Sequence, residues 1–187
     1  MILMENIKTS HNQKLLKNLF VIVLGSIFLT ISAKIKIPFY PVPMTMQTFV
    51  VLFLGISLGY KLAIATVGLY LLEGILGIPV FSNSPEKGIG LIYFTGPTMG
   101  YLIGFLFAAF FSGYFNFKNE NILLIFIKLV FSVSFIYIFG IIWLGILIGW
   151  DKPLLSLGVN PFLYAELFKM LILSLLAKNI FKIKNFI

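Results

Sequence analysis

From Leu15 to Phe181 the chain is a succession of apolar runs separated by short polar, glycine-rich or proline-rich breaks. No other feature constrains the fold as strongly. The runs cover about Leu15–Ala33, Met44–Leu58, Leu62–Ile78, Gly96–Phe115, Ile122–Trp150 and Pro161–Phe181. Roughly 20 helical residues cross a hydrocarbon layer about 30 Å thick. Six crossings would use most of a chain that is 60% hydrophobic and 11% charged, with mean hydropathy +1.06. A soluble domain of this length has no interior able to hide so much apolar surface. The pattern predicts an all-α integral membrane protein of one domain, a bundle of six transmembrane helices preceded by a polar tail of about residues 1–14. The second and third runs are short, and the fifth is long enough to tilt.

The first run follows a polar, basic stretch, an order that also fits a secretory signal peptide. Ile31-Ser32-Ala33 is a poor cleavage site and more spans follow, so the segment is read as an uncleaved first helix. An even number of spans puts both termini on one side. Lys8, Lys14, Lys17, Lys61, Lys118, Lys178, Lys182 and Lys184 then share that side, against Lys34, Lys36, Lys87 and Lys152 opposite. The positive-inside rule makes the first side cytoplasmic. The net charge of +8 suits loops facing an anionic leaflet, and no segment reads as a nucleic-acid surface.

Two outer loops are more hydrophobic than connections in water need to be. Lys34–Pro43 packs three prolines among apolar residues, which makes a stiff, extended or turned segment. Gly77–Gly88 carries Ser82, Asn83 and Ser84 just outside the third run. Irregular backbone near membrane depth is tolerated where it is buried in protein or lines a cavity. The proline-rich loop is therefore expected either to cap a cavity or merely to lie on the bundle.

Glu166 and Lys169 stand out in the last run. Asn160 suits an N-cap and Pro161 the first helical position, which would place Glu166 roughly 9 Å and Lys169 roughly 13 Å into the helix. Each ionisable group costs about 2.5–3.5 kcal/mol to insert at mid-helix. As i, i+3 neighbours they can neutralise each other. In lipid, however, such residues face the bundle interior and mark substrate or ion paths. Glu73, near the outer end of the third run, is a second intramembrane acid, and Lys128 is expected to snorkel to the cytoplasmic face. Gly96, Gly100, Gly104, Ala108 and Ser112 recur every four residues and predict close helix packing, with a homo-oligomer contact as the alternative. A weaker small-residue set, Gly25, Ser26, Thr30 and Ala33, suits a partner helix.

Several chemistries fall away. There is no cysteine, and the single histidine, His11, lies in the polar tail, so thiolate chemistry, a histidine-centred metal site and a Ser-His triad are not available. No Walker loop is present. An intramembrane enzyme is thereby disfavoured, and transport by this chain would draw on an ion gradient or another chain.

The run Ile37-Pro38-Phe39-Tyr40-Pro41-Val42-Pro43-Met44-Thr45-Met46-Gln47-Thr48 resembles the proline-rich signature of BioY proteins. These are the biotin-binding S components of energy-coupling-factor (ECF) transporters. Gly74–Phe81, Gly96–Phe105 and the closing Pro161-Phe162 with Glu166 and Lys169 carry the same resemblance, in order and with family-like spacing. It implies a multi-pass subunit of the bacterial plasma membrane that captures biotin from outside, binds no cofactor, and docks on a transmembrane coupling subunit with paired ATPases, which alone use ATP. It also implies a head-group site of Glu166, Lys169 and Asn83, with Glu166 where the family usually has Asp.

The chemistry of a cyclic urea agrees: a carboxylate accepts ring N–H groups, while an ammonium or amide serves the carbonyl. Ser82, Ser84, Thr45 and Gln47 are polar candidates around the site. Phe39, Tyr40, Phe81, Trp143 and Tyr164 are candidates for an apolar wall. The alternatives are a sister subunit for another vitamin and a proton-coupled carrier using Glu73 or Glu166.

Overall fold

The computed structural model describes residues 2–184, with side chains from residue 12 onward, so the side chains of Lys8 and His11 lie outside the described residues. Among these residues the elements are α1 (Ile2–Lys34), β1 (Lys36–Ile37), β2 (Met44–Thr45), α2 (Gln47–Leu58), α3 (Tyr60–Ile75), a 3-10 segment (Gly90–Thr95), α4 (Met99–Tyr114), α5 (Ile122–Ile148), α6 (Leu154–Gly158) and α7 (Leu163–Ile183). The fold is mostly helical. By length and composition, 12–34 within α1 and all of α5 are sufficient on their own to cross a bilayer.

What the helices turn outward is as informative as what they bury. Leu16, Phe20, Val23, Ile27 and Ile31 form an exposed stripe along α1 at helical spacing, and Ile127, Phe131, Ile138 and Ile142 do the same on α5. An apolar face of that extent is stable against lipid rather than water. The polar groups go inward instead: Ser26, Thr66, Ser112 and Ser132 are all fully buried.

The small-residue ridge on α4 is consumed inside the bundle. A Cβ on Gly100 would sit 2.2 Å from the Phe139 carbonyl oxygen, and one on Gly104 would sit 2.5 Å from Ile136 Cα. Only glycine lets α4 and α5 approach so closely. Further along, Ser112 meets Gly55 of α2, where a Cβ would fall 1.9 Å from Ser112 Oγ. The first-helix set is also occupied. Gly25 packs on Thr66 of α3, Ser26 donates to Glu73 Oε2, and Ala33 is fully buried. Gly25, Ser26 and Ala33 therefore pack within the bundle itself. Lys128 reaches the α4–α5 loop, pairing with Glu120 and lying 5.2 Å from the Phe115 ring centre.

The proline-rich loop is a short hairpin. Lys36 pairs with Thr45 and Ile37 with Met44 in antiparallel register, so Pro38–Pro43 form the tip. Pro41 and Val42 are buried while Tyr40 points out. Lysines sew the hairpin to the third loop. Lys34 Nζ donates to the carbonyls of Phe81 (2.8 Å) and Ser84 (2.9 Å), and Lys36 Nζ donates to Ser82 O (2.7 Å) and Asn83 Oδ1 (3.2 Å).

The start of the last helix differs from the expectation. α7 begins at Leu163, and Asn160 and Pro161 belong to a turn closed by Phe162 N–H on Val159 O and Leu163 N–H on Asn160 O. α6 ends at Gly158, and residues 159–162 are taken up by the turn that joins it to α7. Glu166 consequently lies in the first turn of α7, about 4.5 Å past Leu163, and Lys169 about 9 Å past it. Both are shallower than the sequence pattern suggested, and the helix N-terminus favours the Glu166 charge.

Candidate functional site

α2 and α7 lie side by side, and the first turn of α2 meets the first two turns of α7, bringing Thr48 against Glu166 and Lys169. The three residues are 7%, 4% and 7% exposed. Lys169 Nζ donates to Thr45 O (2.6 Å), Glu166 Oε1 (2.8 Å) and Thr48 Oγ1 (3.1 Å). An ammonium has three N–H groups, so its capacity is filled. Thr48 Oγ1 in turn donates to Glu166 Oε1 at 2.8 Å. The other carboxylate oxygen, Glu166 Oε2, is buried and has no hydrogen-bond partner.

That carboxylate forms part of the wall of a cavity of about 50 Å³. Val42 and Pro43 of the hairpin tip, Thr45, Gln47 and Thr48, and Phe81 and Ser82 of the third loop also line it, together with Tyr93, Thr98, Tyr101, Tyr137 and Phe162. The surroundings are mostly aromatic and aliphatic, with a few polar groups converging on one end, as small-molecule sites usually are. Phe81 stacks on Tyr93 at 4.6 Å and meets Tyr70 edge-on at 5.3 Å, which fixes the loop-side wall. The Tyr137 phenol lies within electrostatic reach of Glu166. Tyr101 is anchored by donating to Gly158 O at 2.9 Å. On the far side of Thr45 and Lys169 is a larger apolar space of about 400 Å³ between the hairpin and α7, walled by Ile35, Phe49, Phe168 and Ile172.

Of the residues singled out by sequence, Glu166, Phe81, Ser82, Thr45 and Gln47 line the smaller cavity, and Lys169 braces it from behind. Gln47 Nε2 donates to Tyr70 OH (2.7 Å) and its Oε1 accepts from Thr45 Oγ1 (3.2 Å). Asn83 stands one layer away, in a small adjoining cavity that shares Tyr93 and Thr98 with this one. Its backbone N–H donates to Tyr93 OH at 3.4 Å. Tyr40 and Tyr164 are not brought in: they are 85% and 84% exposed. Phe39 packs edge-on against Phe162 at 5.9 Å, Trp143 Nε1 donates to Gly96 O at 2.9 Å, and Ser84 Oγ is spent on Phe81 O. Glu73 faces Ser26 on α1 and is not among the lining residues.

Thr48, Tyr93, Tyr101, Tyr137 and Phe162 line the cavity without having been singled out. A hydroxyl inside an apolar run was the one signal available for Tyr137. Thr48 closes the proline-rich run, but its role depends on partners far away in sequence. Among the described residues, no cluster of acidic, histidine or cysteine side chains could hold a metal ion.

The structure thus sets an aromatic cavity beside a loop hairpin, with a braced carboxylate at one end. The sequence model of the BioY family matches residues 5–185, and the chain belongs to that family. The biotin transporter BioY of Thermotoga maritima is 34% identical over 156 residues, covering 83% of this chain and 90% of the relative. BioY2 of Lactococcus lactis, also a biotin transporter, is 31% identical over 163 residues, covering 86% and 87%. A crystal structure of the S-component for biotin from an ECF-type ABC transporter superposes with a TM-score of 0.75 at 27% identity, covering 91% of this chain and 94% of that one. The relatives are transporters, and the chain is a membrane transport protein without an enzymatic role.

Proposed function

We propose that this chain is the substrate-capture subunit of a biotin importer. The observation that carries the reading is Glu166 on the wall of a mostly apolar cavity with one carboxylate oxygen buried and unpartnered, in a chain of the BioY family. A cyclic urea offers N–H donors to that oxygen in a dry setting, where a charge-assisted hydrogen bond is roughly twice as strong as a neutral one. Lys169 is paired with the carboxylate, and it reaches the urea carbonyl only by giving up one of its three acceptors. Asn83, with its Oδ1 on Lys36, keeps its amide N–H groups for the ligand. Phe81, Tyr93, Tyr101 and Tyr137 flank the thioether ring and aliphatic chain.

A cavity of about 50 Å³ holds only a few waters at about 10–15 Å³ each, so a bicyclic ligand enters when the hairpin and third loop shift outward together. In this sense the proline-rich hairpin is the cap. α1 to α5 and α7 are the six membrane crossings, with both termini cytoplasmic and the hairpin outside. A transmembrane coupling subunit with two ATPases supplies the energy. The proton-coupled alternative has less support, because Glu73 stands away from the cavity and Glu166 Oε1 is held by Lys169.

Uptake of labelled biotin by cells lacking their own importer tests the proposal. Accumulation that needs co-expressed coupling and ATPase subunits and survives a protonophore supports it. Uptake abolished by the protonophore but independent of those subunits supports the carrier. Uptake of a different vitamin, with no uptake of biotin, assigns the sister subunit.

A further inference from the structure

We propose that Thr48 is the positioning residue of the head-group carboxylate, acting through Glu166 to fix the plane of the carboxylate so that one oxygen stays free for the ligand. The inference rests on the reading of Glu166 as the ligand's acceptor and adds the residue that aims it. An ammonium alone attracts both oxygens of a carboxylate, and the terminal torsion of glutamate is broad, so Lys169 cannot fix the carboxylate plane. A hydroxyl can, because it has one directional donor. Thr48 Oγ1 donates to Glu166 Oε1 at 2.8 Å while accepting from Lys169 Nζ at 3.1 Å. Lys169 donates to that same Oε1, at 2.8 Å. Two donors on one oxygen leave Oε2 buried and unpartnered, in a residue that lines the cavity.

Thr48 itself is held firmly. It is the second residue of α2, it is 7% exposed, and its β-branched side chain has few rotamers available on a helix. Glutamate carries one more rotatable bond than aspartate, so a fixed donor on Oε1 matters more in this chain than it would beside a shorter acid.

The test is a double-mutant cycle in purified full-length protein, with biotin affinity as the readout. Thr48→Val is nearly isosteric and removes only the hydroxyl; Thr48→Ser keeps it. The expected result is a Kd raised about tenfold in Thr48→Val, because the acceptor is no longer held in its binding orientation, and recovered to within about threefold in Thr48→Ser. In a Glu166→Gln background the same Thr48→Val change is expected to cost no more than about threefold. Where that background binds too weakly to titrate, the cycle is read from unfolding midpoints of the unliganded proteins, and the coupling between the two positions is expected to persist. An equal loss in both backgrounds, or a Thr48→Ser variant as weak as Thr48→Val, overturns the positioning role while leaving the biotin reading intact. A parent protein that does not bind biotin overturns both.

Discussion

Replacing Lys169 by methionine removes an ammonium whose three N–H groups go to Thr45 O, Glu166 Oε1 and Thr48 Oγ1. The shape of the side chain is largely kept, so the perturbation is mainly electrostatic. Glu166 is left 4% exposed, with one donor on Oε1 and none on Oε2. Removing one partner of a buried pair costs about 3–5 kcal/mol, because the remaining charge is desolvated and uncompensated. At about 2–4 °C per kcal/mol for a chain of this size, the unfolding midpoint in detergent should fall by roughly 6–20 °C. The double variant Lys169→Met/Glu166→Gln removes the stranded charge and should regain most of that loss, since a buried pair replaced as a unit is often nearly neutral. The assay is thermal unfolding of the parent, both single variants and the double variant. A double variant no more stable than Lys169→Met would refute the reasoning. It would mean that the single loss came from packing and not from the unpaired carboxylate.

Other expectations follow from the same geometry. Gly104→Ala places a methyl 2.5 Å from Ile136 Cα and should destabilise the α4–α5 contact by about 1–3 kcal/mol, whereas Gly68→Ala, with nothing within 4 Å, should be neutral or slightly stabilising; unfolding midpoints compare the two. Lys36→Ala releases Ser82 O and Asn83 Oδ1, so hydrogen exchange across residues 81–87 should quicken and bound biotin should dissociate faster. Lys128→Met breaks the pair with Glu120 in the α4–α5 loop and should leave biotin affinity within about twofold of the parent, a calorimetric control for effects transmitted through the bundle.

The membrane class was legible because apolar runs of spanning length leave few alternatives. Glu166 and Lys169 were legible because charge inside such a run demands an explanation. Their depth was not, since the Asn160-Pro161 start signal was absorbed by the turn that follows α6. The aromatic wall was only half readable. Phe81 and Tyr40 both sit in outer loops, and sequence carries no mark of which ring turns inward. Phe81 is held by Tyr70 and Tyr93, while Tyr40 lies outward near Lys87. Thr48 was hidden for a different reason: a hydroxyl in a helix normally bonds its own backbone, and its partner on α7 is 118 residues away. The α4 ridge was readable as close packing, but its partner, α5, follows only from the Phe139 and Ile136 contacts.

The central claim is that the free oxygen of Glu166 receives biotin. A calorimetric titration of the detergent-purified protein with biotin, set beside Glu166→Gln, tests it most directly. The account predicts saturable binding by the parent, with affinity reduced at least tenfold in the variant, as expected for loss of a charge-assisted hydrogen bond of about 1.5–3 kcal/mol. Equal affinity in the two proteins would contradict it, because the unpartnered carboxylate oxygen would then have no part in holding the ligand.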